Sequence, residues 1–128
     1  MKGGHSMINS VGQVGIPVKN IERATAFYQG TLGLPLLFHT DTMAFLQSGD
    51  VRILLTLPEK QEYDHPSSVV YFNVESTRIA YSELRNKGVE VSEEPHVVSK
   101  MDGVETWMCF FRDSEGNTHA FMSEERAE

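Results

Sequence analysis

The sequence predicts an α+β fold made of two tandem βαβββ modules. Three observations lead there. Two segments repeat one strand–helix plan at a constant offset, with Val18, Ala24 and Tyr28 matching Val74, Ala80 and Leu84. Both helices carry a polar cap at the start and a glycine at the end. Both halves then close on a hairpin of apolar strands.

In "VGQVGIPVKNIERATAFYQGTLGLPLLF" an alternating strand over residues 11–18 leads into a helix. Asn20 is its N-cap, with Glu22 in the first turn. Ile21, Ala24, Tyr28 and Leu32 recur at three- and four-residue steps and form one buried face. Gly33 is placed to end it in the left-handed conformation. "MAFLQSGDVRILLTL" is a strand, a turn at Ser48-Gly49-Asp50, and a strand. "SSVVYFNVESTRIAYSELRNKGVEV" repeats the opening: a strand over 69–74, a cap at Ser76, Ala80 and Leu84 inward, Arg85 and Lys87 toward the C-terminal dipole, and Gly88 as the stop. "WMCFFRDSEGNTHAFM" is the second hairpin, turning at Ser114 to Asn117. Residues 1–6 read as a leader, 8–57 as module one, 58–67 as a polar linker and 68–124 as module two, all within one domain over 7–124. Neither module buries both faces of its sheet alone, so the two should pair.

A chain of 128 residues, 40% hydrophobic and 23% charged, fits a folded domain. The apolar runs are too short to span a bilayer, so no membrane partner is expected. The net charge of −7 argues against nucleic acid and mildly favours neutral or cationic partners. The single cysteine, Cys109, sits in an apolar strand, which allows no internal disulfide and fits a reducing cytoplasm.

"GQVGIPVKNIERATAFYQGTLGL" and "FFRDSEGN", with the tandem plan, resemble the vicinal oxygen chelate superfamily: glyoxalase I, bleomycin-resistance proteins and extradiol dioxygenases. The resemblance implies curved mixed sheets around a cleft, and a homodimer. It also implies four metal-ligand positions on strands facing that cleft. They fall on Gln13, on Leu54 (or, one residue off, Ile53), on Val69 with Ser68 beside it, and on Ala120. Of these only Gln13 offers a good donor. His119 adjoins Ala120 but points to the opposite strand face. No divalent metal or other cofactor is therefore expected.

Other candidates are weighed one by one. Gln13 is either a buried amide bonded to backbone or a cleft residue orienting a ligand. Tyr71, two residues after Val69, should share its face, so Gln13, Tyr71 and Ala120 should face one cavity. His96 overhangs the cleft from a loop–strand junction. Trp107 is a stacking wall for a ligand, while alternate residues of "WMCFF" divide between core and cleft. His119 reads first as a packed histidine. Arg52 and Arg112 are anion-binding candidates, though Arg112 can simply pair with Asp113. Two functions follow. One is a metal-free small-molecule-binding protein of the bleomycin-resistance kind. The other is a lyase or isomerase of the glyoxalase type, lactoylglutathione-lyase-like, working through an atypical site: either a metal bound unusually through Gln13 and His119, or metal-free acid–base work by His96 or His119.

Overall fold

Alternation along each strand decides which side chains enter the core. In β1 (Gln13–Pro17) Ile16 is fully buried while Gln13 and Gly15 are exposed. In β4 (Val51–Thr56) Ile53 and Leu55 are buried, and in β3 (Met43–Ser48) Ala44 and Leu46 are. The computed structural model describes residues 7–126. The leader expected at 1–6 lies outside them.

The remaining elements are a helix α1 (Ile21–Thr25) that continues as a π-helical stretch (Ala26–Thr31), β2 (Leu36–His39), a 3-10 turn (Gln61–Tyr63), β5 (Tyr71–Asn73), α2 (Thr77–Asn86), β6 (His96–Met101), β7 (Val104–Arg112) and β8 (Thr118–Arg126). They form two four-stranded mixed sheets, ordered β1-β4-β3-β2 and β5-β8-β7-β6. β1 runs parallel to β4 and β5 to β8; the other pairs are antiparallel. Neither sheet closes. The repeat extends to irregularities, since β2 slips register between Leu36 and Phe38, and β6 between Val97 and Ser99.

The helix punctuation follows the sequence. The Asn20 side chain accepts from the Arg23 N–H at 2.9 Å, and Ser76 from that of Ile79 at 3.3 Å. Gly33 and Gly88 both take φ of 80°, which explains why glycine ends each helix. Two expectations change in detail. The first helix widens after Thr25, with Leu32 N–H reaching Phe27 C=O, and here Phe27 and Tyr28, adjacent in sequence, both meet the second sheet. The strand expected over 69–74 is regular only at Tyr71–Asn73; the Val70 C=O and the Val74 N–H still bond to β8, at 2.9 Å each, while the Val70 N–H donates to the His119 ring.

Both sheets turn their helix-bearing sides into one core. It joins Ile16, Val18, Ala24, Tyr28, Leu46, Ile53 and Leu55 of the first module to Phe72, Leu84, Cys109, Phe111 and Phe121 of the second. The opposite faces of the two sheets therefore lie on the outside of the chain. Among the described residues no helix is long and apolar enough to cross a membrane.

Candidate functional site

The open face of the first sheet is built in rows by register. Gln13, Arg52 and Gln47 are cross-strand neighbours on β1, β4 and β3. The next row is Gly15, Leu54 and Phe45, extended on β2 by Phe38. The Phe38 and Phe45 rings lie 6.2 Å apart, and Phe38 is 59% exposed. So much uncovered aromatic surface is costly unless something covers it.

On the second sheet the matching row is Tyr71, Ala120 and Phe110. The Tyr71 and Phe110 rings meet edge to face at 6.1 Å. Ala120 between them is fully buried, yet it is no part of the central core. Its small side chain stands in the row between the two aromatic residues. The following row is Asn73, Met122, Met108 and His96, so polarizable thioethers continue the apolar surface.

The sequence-derived site residues are thus divided. Gln13 and Leu54 stand on one open face; Tyr71, Ala120 and His96 stand on the other, and Val69 precedes Tyr71, 40% exposed. One chain does not bring Gln13 together with Tyr71 and Ala120 in a single cavity, because the shared core lies between the two faces. Trp107 is misplaced by the sequence reading. It points to the α2 side, where the Arg78 guanidinium lies 4.6 Å from its ring centre and its indole N–H is buried without a partner among the described residues. Phe111 goes to the core and Phe110 to the open face, so the neighbours divide as alternation demands. Arg112 pairs with Glu90 at 3.1 Å, not with Asp113.

The residues at the positions the resemblance assigns to metal ligands do not fit a divalent ion. Leu54, Val69 and Ala120 have no lone pair to give, and the Gln13 amide alone cannot offset the charge. Among the described residues no group of three or more His, Cys, Asp or Glu is placed to hold one.

The sequence reading missed a polar cluster buried between the modules. The Tyr28 hydroxyl donates to Asp113 Oδ2 at 2.6 Å and lies 3.0 Å from His119 Nε2. The Val70 N–H donates to His119 Nδ1, so the ring proton is on Nε2 and points at the tyrosine oxygen. His119, Tyr28 and Asp113 form a chain of donors ending on a carboxylate. Asp113 Oδ1 also accepts the backbone N–H groups of Glu115 and Asn117, both at 2.8 Å. Burial lowers the His119 pKa, partly offset by the Asp113 charge, so the ring stays neutral. Burial, then Asp113, pushes the Tyr28 hydroxyl far above its usual range. Beside this cluster Glu115 accepts from Arg23 Nε at 2.6 Å and from the N–H groups of Lys19 and Asn20 at 2.8 and 3.1 Å. Its pKa falls to about 2, first through Arg23. With His119 and Tyr28 fully buried, the cluster locks the modules and offers no ring nitrogen to a substrate. The only sequence signal was a polar residue at every inward position of "DSEGNTH".

The fold and these paired faces define a class. Residues 10–121 match the Glyoxalase/Bleomycin resistance protein/Dioxygenase superfamily. The chain belongs to that superfamily. Among solved structures it resembles a member of the same superfamily from Sphaerobacter thermophilus DSM 20745, with 22% identity and a TM-score of 0.75 over 92% of this chain and 99% of that one. It also resembles TnmS3, an antibiotic binding protein from Streptomyces sp. CB03234, with 19% identity and a TM-score of 0.74 over 94% of this chain and 100% of that one. A virulence protein from Salmonella typhimurium aligns with a TM-score of 0.74 at 22% identity, over 92% of this chain and 98% of that one. None of the curated proteins is matched by the chain.

Proposed function

We propose that the protein binds a small molecule without a metal ion, as a cytoplasmic homodimer. In that dimer the open face of one copy's first sheet stands across from the second sheet of its partner. The observation that carries the reading is Ala120. Where the resemblance implies a carboxylate ligand, a methyl group lies beneath the Tyr71–Phe110 ring pair. Such a surface is suited to apolar and aromatic ligands. A fold neighbour described as an antibiotic binding protein supports the same direction.

The glyoxalase-type lyase reading needs an acid–base group at the site. His119 is fully buried with both ring nitrogens engaged, which leaves the half-buried His96 as its only histidine candidate on the open face of the second sheet. The test is native mass spectrometry and metal analysis on protein purified without an affinity tag. A chelator melt, a thermal-shift screen of aromatic compounds and a hemithioacetal turnover assay complete it. The proposal expects no stoichiometric metal, no chelator effect, a stabilising ligand and no turnover. Stoichiometric metal with turnover would overturn it.

A further inference from the structure

The open face of the first sheet carries a positive charge, Arg52, that forms no ion pair among the described residues. Arg52 and Gln13 are both exposed, and among the described residues neither side chain has a hydrogen bond or ion pair. Arg23, Arg78 and Arg112 pair with Glu115, Glu125 and Glu90, whereas Arg52, Arg85 and Arg126 have no ion pair among the described residues; of these three only Arg52 stands on the open face of the first sheet. The chain has 18 acidic residues to 11 basic ones, yet none of the described acidic side chains pairs with this arginine on the open face. Asp50, two residues before it, makes no ion pair with it. Gln47, on its other side, donates its amide N–H to the Gly49 carbonyl at 2.6 Å.

One row further lies the apolar shelf of Leu54, Phe45 and Phe38. Gly15 begins that row with bare backbone, and a Cβ there would meet nothing within 4 Å. A flat molecule can lie on the shelf with one edge toward Arg52 and Gln13. A guanidinium beside an amide donor suits a carboxylate.

We infer that this shelf binds a small planar aromatic molecule bearing a carboxylate or an equivalent oxyanion. The ring lies over Leu54 and Phe45, and the anionic group meets Arg52 and Gln13. The inference rests on the small-molecule reading above and adds the ligand class. The overall negative charge does not forbid it. Exposed charges farther away than about 8 Å are largely screened at physiological salt, whereas the Arg52 contact acts at hydrogen-bond range.

The test is calorimetric titration of the intact protein with 2-naphthoate, 2-naphthalenemethanol and 2-naphthylmethylamine. The carboxylate should bind tighter than the alcohol by about tenfold or more, and the amine most weakly. Arg52→Gln should erase the preference and leave alcohol binding; Arg52→Lys should keep part of it. Gly15→Ile should block all three probes while the protein stays folded. Equal binding of carboxylate and alcohol, or a preference that survives Arg52→Gln, overturns the inference and leaves the small-molecule reading standing. If no probe binds, the inference falls, and that reading is judged separately by the ligand screen and metal analysis above. An Arg52→Gln protein whose solution mass changes instead of its affinity also overturns it, since the face is then a contact between copies.

Discussion

The Tyr28 hydroxyl is shared between a neutral histidine and a carboxylate, all out of contact with water. Removing that one oxygen leaves two buried polar groups with an unmade bond. Tyr28→Phe should therefore cost about 1–3 kcal/mol in urea denaturation. A loss within error would show that water replaces the hydroxyl. His119 adds a pH dependence. Its folded pKa lies below the ordinary 6.5 because burial opposes the charged ring. The unfolded chain takes up this proton first as pH falls. The contribution is therefore complete above about 6.5 and fades as the solution is acidified from there toward the depressed folded value. His119→Gln should flatten that part of the stability curve; an unchanged slope would assign it to other groups. Ala120 makes the opposite demand, for smallness. Ala120→Glu alone should destabilise by on the order of 2 kcal/mol or more, since it puts a carboxylate under two rings. Replacing Leu54, Val69 and Ala120 together by Glu, His and Glu should create metal affinity in a calorimetric titration. A folded triple variant that binds no more metal than the parent would show that these are not the family's ligand positions.

At the level of elements, the turn between β7 and β8 serves the first module as much as the second. Glu115 reaches from it to the start of α1, where backbone N–H groups and Arg23 receive it. Its pKa is depressed from 4.5 to about 2, so its contribution is present above about 4.5 and lost as pH falls through about 2. Glu115→Gln should lower the melting temperature at neutral pH and lose that difference near pH 2; equal melting at neutral pH would mean that the latch is unimportant. The repeat of elements was readable because its signals are local: Asn20 and Ser76 before each helix, Gly33 and Gly88 after it. Side-chain direction was harder to read. "TWMCFF" is apolar on both strand faces, so hydrophobic pattern alone could not tell that Trp107 joins Cys109 and Phe111 on the helix side while Met108 and Phe110 face outward. The Tyr28–His119–Asp113 chain was illegible for another reason. Its members lie 85 and 91 residues from Tyr28, and only the packing of the π-helical stretch Ala26–Thr31 onto the second sheet joins them.

For the whole molecule, the decisive fact is that one core serves two sheets whose other faces look outward. A hollow of about 580 Å³ also opens where the edges of β1 and β5 approach, lined by Val14, Leu34, Ile53 and Phe72 with Tyr71 at its rim. Unpaired strand edges and uncovered rings favour a second copy. Light scattering at micromolar concentration should give twice the mass of one chain; a monomer would contradict the dimeric cleft. The same shared core has a practical consequence through Cys109. Its thiol is fully enclosed, and burial raises its pKa. Alkylating reagents can reach it only when the core around it opens. The rate of its modification is thus a built-in clock for that opening, and with one cysteine in the chain every labelled molecule reports the same event.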